Sequence, residues 1–257
     1  MVIQHNIAAN NAYRNLSSNA SNGQKNLEKL SSGFRINRSA DDAAGLAISE
    51  QMRSKINGLD QATANANDAI GLIQTAEGAL TETHSMLQRM VTLATQSANG
   101  TYNTTARSAI TAEVDALKKE IERIASTTDY NGVKPLSDNG TIQVQVGPTA
   151  GETLDIAKAA MGASALSVQD IKVSTVSTAN SAITKINAAI DKVSAHRANL
   201  GASQNRLEHT INNLKTTSEN MTAAESRIRD TDMAKEMAAF TKNNILNQAA
   251  QSMLSQA

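Results

Sequence analysis

Apolar residues between positions 183 and 228 follow one alternating spacing of three and four residues. A repeat of 3.5 residues keeps such positions on one narrow stripe of a helix, which suits a partner helix better than a broad globular core. At a rise of 1.5 Å per residue the segment would be about 69 Å long. The stripe consists of Ile183, Ile186, Ile190, Val193, Leu200, Leu207, Ile211, Leu214, Met221 and Ile228.

Polar residues interrupt this stripe at Arg197, Gln204, Ser218 and Glu225. Polar residues in a helix seam lower its stability but restrict its register and its choice of partner. We therefore interpret these four positions as ones that fix the register of a long helical strut.

A second segment, from residue 52 to residue 94, has the same spacing and would be about 65 Å long. Thr63, Glu77 and His84 interrupt it. Two rods of similar length, separated by enough sequence to turn round, are natural antiparallel partners. The second stripe consists of Met52, Ile56, Leu59, Ala66, Ile70, Ile73, Leu80, Leu87, Val91 and Ala94.

A shorter helix supplies a third member of this bundle. It follows a loop-like stretch at residues 97–103, and its apolar stripe runs from Ala106 to Ile124. We predict long helices over residues 41–98, 104–127 and 178–228.

Residues 129–176 carry a different pattern, which predicts a small β-hairpin region. The segment from Thr141 to Val146 alternates with period two, and residues 153–157 fit a returning strand. An isolated hairpin is marginally stable in water, so this one should lie against the rods.

The two ends of the chain are weak amphipathic helices. In the first thirty residues Tyr13, Leu16, Ala20, Leu27 and Leu30 share a stripe with Gly23, and a helix-interior glycine costs roughly 1 kcal/mol relative to Ala. The last segment exposes its apolar face unless it meets a partner. We expect the two terminal helices to pair. The apolar stripe of the C-terminal helix is Met237, Phe240, Ile245, Ala249 and Met253, widened by Leu246 and Leu254.

Composition excludes several classes of function. Lys plus Arg balances Asp plus Glu at 24 each, which points neither to nucleic acid nor to a membrane surface. Cysteine is absent, so there is no disulfide, thiolate metal site or thiol catalysis. The N-terminus lacks the basic and apolar regions of a usual secretory signal peptide, and no apolar run reaches about 20 residues.

The sequence contains no constellation of catalytic, cofactor-binding or metal-binding residues. The four histidines, at positions 5, 84, 196 and 209, are scattered and form no ligand pair. Asp41 and Asp42 are adjacent and diverge by about 100° on a helix, so capping explains them better than paired catalysis. We predict a non-enzymatic protein without cofactors.

Both ends of the chain resemble bacterial flagellin. The N-terminal signature is residues 30–37, Leu-Ser-Ser-Gly-Phe-Arg-Ile-Asn, followed by residues 39–48, Ser-Ala-Asp-Asp-Ala-Ala-Gly-Leu-Ala-Ile. Residues 3–11 are also similar to flagellin N-termini. The C-terminal signature lies at residues 201–208 and 224–234.

The resemblance implies a mainly α fold: an elongated antiparallel bundle of long coiled-coil-like helices with a small β-hairpin region. Residues 1–36 and 229–257 would pair as an inner helical layer, and residues 37–228 would form the rod. The interval between the hairpin and the last long helix is too short for an added domain, so the chain is similar to a minimal flagellin without variable outer domains.

The resemblance also implies a function. A flagellin is exported through the flagellar type III pathway and self-assembles outside the cell into the flagellar filament used for motility. Its partners are other copies of itself and an export chaperone that grips the C-terminal helix. Its terminal helices fold on assembly. Family members usually run on past the position of Ala257, so we expect a truncated C-terminus.

One recognition site is expected from the resemblance. Residues 88–94 and 96–99 are similar to the flagellin segment recognised by the innate immune receptor TLR5, which would place receptor contacts at Arg89, Leu93 and Glu120. Arg89 and Leu93 are four residues apart and so share one helix face. The alternative is an ordinary solvated face that packs between subunits.

Two other functions stay open at this point. A hook-filament junction protein shares the terminal helices but matches the run at residues 39–48 less well, and it would be present in few copies. A cytosolic coiled-coil adaptor would be helical to its ends, whereas the terminal helices of a flagellin should melt independently of the rod.

Overall fold

The computed structural model describes residues 6–256 and is mainly helical, as predicted. Its helices are α1 (Ile7–Ser32), α2 (Ala43–Ala98), α3 (Thr104–Thr127), α4 (Val176–Arg229) and α5 (Met233–Gln256). Strands β1 (Gly140–Gln145) and β2 (Thr153–Lys158) form an antiparallel hairpin. The predicted helix over residues 104–127 has the bounds of α3, and α2 and α4 begin within two residues of their predictions.

Contacts divide the chain into two compact units, residues 58–216 and residues 1–57 together with 217–257. The sequence-based boundaries of the inner layer, at 36/37 and 228/229, remain predictions. Residues 1–5 and residue 257, where parts of the predicted inner layer and the expected truncated end fall, lie outside the described residues.

In the unit of residues 58–216, α2 and α4 run antiparallel, as predicted. The end of α2 meets the start of α4, where the Ser97 hydroxyl donates a hydrogen bond to the Val173 carbonyl. Twenty residues earlier in α2, Glu77 pairs with Arg197 at 3.4 Å. Partner positions thus rise along α4 as they fall along α2, so the two rods are the partners expected from their spacing.

The seam between these rods differs from the predicted one at every second position over residues 59–97 of α2 and residues 182–207 of α4. The buried members of the predicted stripes are Leu59, Ala66, Ile73, Leu80, Leu87 and Ala94 in α2, and Ile186, Val193, Leu200, Leu207, Ile211 and Leu214 in α4. Ile70, Ile183 and Ile190 were expected in the seam, but they are only half-buried at its flank. The neighbouring small residues take their place: Ala62, Ala69, Ala76 and Thr83 in α2, and Ala182 and Ala189 in α4.

The physical reason for this correction is size. A small residue at every second seam position lets two helix backbones approach closely, and large residues on the intervening positions fill the remaining space. Large apolar residues alone therefore predict a stripe that lies one residue too late at these alternate positions. Met52 and Ile56, in the other unit, are half-buried as well.

This shift also corrects the interpretation of the polar interruptions. Thr63, Glu77, His84, Arg197 and Gln204 lie at the flank, and each is partly exposed. The Glu77–Arg197 pair is 41% and 33% exposed, and ion pairs of this kind contribute about 1 kcal/mol or less. The polar residues within the seam are instead Thr83, Ser97 and His196. His196 is 6% exposed, and burial lowers its pKa.

Helix α3 and the hairpin complete this unit. Ile110, Val114 and Ile121 are buried in the same core as α2 and α4. In the hairpin Ile142 lies opposite Ile156, and Val144 opposite Leu154. The β2 members of these pairs are buried and the β1 members half-buried, as period-two alternation predicts.

The loop of the hairpin lies on α2, as its marginal stability requires. A Cβ at Gly58 would stand only 2.7 Å from the Cβ of Pro148, so the loop can reach the helix because residue 58 is a glycine.

An irregular segment, residues 159–175, contributes to the core without forming helix or strand, which the sequence analysis missed. Its backbone is satisfied by side chains of α3: the Lys118 ammonium donates to the carbonyls of Gln169 and Ile171 at 3.1 Å. The Glu122 carboxylate accepts a hydrogen bond from the Ala163 amide at 2.8 Å. The segment buries Met161, Ala163, Leu166, Val168, Ile171 and Val173.

The seam assignment makes a prediction at two adjacent alanines. Ala189→Leu adds a bulky side chain at a fully buried seam position and should lower the free energy of unfolding by about 1–3 kcal/mol. Ala188 is exposed, so Ala188→Leu should change it by no more than about 0.5 kcal/mol. Chemical denaturation of the two variants measures both values; equal effects would show that the seam does not pass through residue 189.

Candidate functional surfaces

Helices α1 and α5 pack against each other, which confirms the predicted pairing of the chain ends. The less exposed positions of α1 again alternate by three and four residues, and those of α5 do the same. In α1 they are Ala9, Ala12, Leu16, Asn19, Gly23, Asn26 and Leu30; in α5 they include Glu236, Phe240, Asn243, Asn247, Ala250 and Leu254.

Small and polar residues dominate the seam of this pair. Gly23 is the one fully buried residue in α1, and no described residue of α5 is fully buried. In its hydrogen-bonded orientation the Asn26 amide donates to Glu236 at 2.9 Å and accepts from Asn243 at 2.9 Å. Such polar contacts fix the register of a helix pair but bury little apolar area, so the pair has a weak core.

Several large apolar residues of both helices lie outside their shared seam. Tyr13 and Leu27, which the sequence analysis placed on the packing stripe of α1, are 63% and 55% exposed. Ala20, between them on the same stripe, is exposed too. In α5, Met237, Ile245 and Met253 are 50%, 61% and 63% exposed. The pair therefore presents apolar surface that a stable isolated helix pair would bury.

A junction of two chain segments holds the base of this pair. Phe34 and Asp230 form an antiparallel bridge, in which the Arg35 amide donates to the Arg229 carbonyl at 2.6 Å. The Thr231 amide donates to the Gly33 carbonyl at 3.0 Å. Gly33 ends α1 in the left-handed conformation, with φ of 75°, and this turns the chain into the bridge.

Arg229 is the central side chain of this junction. Its side chain is 14% exposed, it pairs with Glu50 at 2.8 Å, and its guanidinium lies 4.5 Å from the centre of the Phe34 ring. A guanidinium can stack on a ring face and still donate in its own plane to a carboxylate. The two sequence signatures, at residues 30–37 and 224–234, thus meet in one cluster.

The predicted recognition residues lie on α2 and α3 in different environments. Arg89 is exposed and pairs with Glu113 of α3 at 2.8 Å. Glu120 pairs with Arg123, whose hydrogen bond lowers the pKa of the Glu120 carboxyl. Leu93 is 2% exposed, so the expected surface shared by Arg89 and Leu93 is corrected: Leu93 packs beneath the surface on which Arg89 lies.

Glu113 is the member of this surface that the sequence analysis missed. It lies seven residues before Glu120, on the same face of α3 and about 10 Å away along the helix. An arginine side chain is long enough to reach a neighbouring helix, so an acidic partner for Arg89 on α3 could have been predicted. We refer to the surface that carries Arg89, Glu113 and Glu120 as the acidic–arginine face.

Residues 6–256 contain no group of three or more His, Asp or Glu side chains arranged to hold a metal ion. None of the helices in this part of the chain is both long and apolar enough to cross a bilayer.

Two family models match the chain at its two ends. The model described as the bacterial flagellin N-terminal helical region matches residues 3–141, and that described as the bacterial flagellin C-terminal helical region matches residues 183–257. Together they cover α1, α2, α3, α5 and most of α4, including the junction and the seam.

Individual relatives agree with these matches. The chain is 56% identical to a flagellin of Halalkalibacterium halodurans over 262 aligned residues, which cover all of this chain and 96% of that protein. It is 45% identical to the flagellar filament 33 kDa core protein of Treponema phagedenis, with the same coverage. The crystal structure of Bacillus cereus flagellin, 34% identical, superposes with a TM-score of 0.54 and covers 63% of this chain and 94% of that one. The chain that folds around this alanine-rich seam therefore belongs to the bacterial flagellin family.

Proposed function

We infer that this protein is the structural subunit of a bacterial flagellar filament, an extracellular homopolymer used for motility. The observation that carries the inference is the exposed apolar residues of α1 and α5. A helix pair with mostly small and polar residues inside and several large apolar residues outside is incomplete as a monomer. Further copies of the chain are the partners that would complete it.

The energetics favour ordering on assembly. Burying one Tyr- or Leu-sized side chain contributes about 1.5–3 kcal/mol. Fixing the backbone of each residue costs about 1–2 kcal/mol, and the seam of the α1–α5 pair buries too little to offset this over two helices. Contacts between subunits would supply the missing burial, so polymerisation and folding of the ends are coupled.

The geometry of such contacts is open-ended. If α1 of one copy meets α5 of the next, the contact joins unlike surfaces, and unlike surfaces that do not close into a ring produce a filament. This role is structural and requires no catalytic residues. It favours the flagellin function over the junction protein and the cytosolic adaptor.

If the protein is a filament subunit, substitutions on the exposed face of α1 should impair polymerisation without destabilising residues 58–216. Tyr13→Ser together with Leu27→Ser should leave the unfolding of residues 58–216 unchanged, because both side chains are already exposed. The same variant should raise the critical concentration for growth on filament seeds about a hundredfold or more, since each lost side chain removes about 1.5 kcal/mol of burial.

The matched control is Asn15→Ser with Lys25→Ser, two exposed polar positions on the other side of α1. It should assemble normally and restore swimming to a cell that lacks flagellin. Failure of the unaltered chain to extend seeds or to restore motility would refute the filament function itself.

Export through the flagellar type III pathway, with a chaperone on α5, is the second part of the proposal. The exposed Met237, Ile245 and Met253 give α5 the apolar anchors with which a helix docks into a groove. Ile245→Asp should abolish co-purification with the flagellin chaperone of the same bacterium. Asn244→Asp places the same charge at an adjacent exposed residue and should not; equal loss would point to charge alone.

Recognition by TLR5 is the third part, and it concerns the acidic–arginine face. Arg89 is exposed and paired with Glu113, Glu120 lies further along the same face of α3, and arginine is frequent at the centre of interfaces. Leu93, from beneath, would hold α2 in place rather than enter the receptor. An ordinary solvated face that packs between subunits is the competing interpretation.

The receptor proposal predicts that Arg89→Ala lowers the potency of the monomer on TLR5 reporter cells about tenfold, the effect of losing about 1.4 kcal/mol at an interface centre. Arg206→Ala, which removes an exposed arginine of α4, should have no effect. If Arg89→Ala signals normally but polymerises poorly, the face belongs to the subunit contact.

A further inference from the structure

The sequence contains five Asn–Gly pairs, beginning at Asn22, Asn57, Asn99, Asn131 and Asn139. At such a pair the glycine backbone nitrogen can attack the Asn side-chain carbon Cγ. A new C–N bond closes a succinimide ring, the bond from Cγ to the amide nitrogen breaks, and ammonia leaves. Water then opens the ring to aspartate or isoaspartate. Glycine favours the attack because it has no Cβ to obstruct it.

Helix or strand structure encloses three of these pairs, and the pair at Asn22 is protected only where α1 is ordered. Asn22–Gly23 lies inside α1 and Asn57–Gly58 inside α2, where the helix holds the backbone. The Asn139 side-chain oxygen accepts a hydrogen bond from the Ala160 amide at 3.0 Å, and Gly140 is paired in β1 with Lys158. In each case the structure keeps the Asn side-chain carbon Cγ away from the backbone nitrogen of the following glycine.

Asn99 is less protected, but its side chain is also held. Its oxygen accepts a hydrogen bond from the Thr101 amide at 3.1 Å, which turns the side chain toward residue 101. Attack by the Gly100 nitrogen requires this bond to break first.

Asn131 and Gly132 form the exposed tip of a tight turn. Tyr130 and Val133 exchange backbone hydrogen bonds of 2.9 and 3.0 Å, and the two residues between them have φ of 50° and 83°. Positive φ at both central positions is what an Asn–Gly turn of this kind requires. Within residues 6–256 the Asn131 amide has no hydrogen-bond partner, so it is free to rotate.

The Gly132 amide, which supplies the attacking nitrogen, already donates to a carboxylate oxygen of Asp129 at 3.0 Å. This distance is within the range at which a carboxylate can take the proton of a reacting group. We propose that Asn131–Gly132 is a self-modification site, at which Asn131 deamidates through a succinimide with Asp129 as the proton acceptor.

The protons balance along this route. Asp129 takes the proton of the Gly132 N–H as that nitrogen bonds to Cγ of Asn131. The carboxylic acid so formed returns the proton to the departing amide nitrogen, which leaves as ammonia. No metal, oxidant or further reactant is needed other than water.

The product changes the surface around the turn. Asn131 and Asp68 line a groove of about 510 Å³ between α2, the turn and β1. Deamidation adds a carboxylate to a groove that already contains the one of Asp68, and isoaspartate adds a carbon to the backbone of the turn. The backbone between Tyr130 and Val133 would become one atom longer. Isoaspartate at residue 131 would therefore distinguish old copies of the chain from newly made ones. This inference does not depend on the filament function.

The test is to age the purified full chain in water enriched in oxygen-18 and to map peptides by mass spectrometry. We expect labelled aspartate and isoaspartate at residue 131 to accumulate faster than at residues 57, 99 and 139, which serve as controls within the same molecule. A rate at residue 131 no higher than at residues 57 and 139 would overturn the proposal.

The role of Asp129 is tested separately. Asp129→Asn keeps the size of the side chain and removes its capacity to take a proton, so the rate at residue 131 should fall while the other four rates stay the same. An unchanged or higher rate at residue 131 would show that Asp129 does not accept the proton. Gly132→Ala is a poorer test, because a residue with a Cβ is strained at φ of 83°.

Discussion

The close approach of α2 and α4 through small residues is the constraint on which residues 58–216 depend. Ala76 and Ala189 are completely buried, and the large residues between the alanines interlock around them. Because the two backbones are close, there is no room between them for the residue that follows each small seam residue. The side chain of that residue lies at the edge of the interface. This explains why charged residues such as Glu77 and Arg197 can lie beside the core, partly exposed, without being buried in it.

The same arrangement has the opposite consequence in the α1–α5 pair. There asparagines share the seam with the small residues and a few leucines, and residues such as Tyr13 and Ile245 face outward. One helix-packing pattern therefore gives a self-sufficient core in residues 58–216 and an incomplete one in the terminal helices. A subunit of this kind can be folded in one unit and still need its neighbours in the other.

The sequence was sufficient to predict helix bounds, the hairpin and the antiparallel partners, because spacing and turn residues act locally. It was insufficient to choose between adjacent seam positions. Ile70 and Ala69, or Ile190 and Ala189, differ by about 100° around the helix, and the choice depends on how close the partner backbone comes. Leu93 was misjudged for the same reason, since a four-residue spacing from Arg89 does not show which side faces α3. The irregular segment at residues 159–175 has no periodicity and depends on Lys118 and Glu122, which are far from it in sequence.

The junction at Arg229 explains why the family resemblance is carried by those particular residues. A seam position requires mainly a suitable size, so Ala, Thr, Ser and Met can each occupy it, as residues 76, 83, 97 and 90 do. Arg229 has to pair with Glu50, stack on Phe34 and remain mostly buried at once. A lysine could make the ion pair but could not stack a planar group on the ring while donating sideways. Specific chemistry, rather than volume, therefore distinguishes this part of the chain from the many other sequences that could form alanine-rich helical rods.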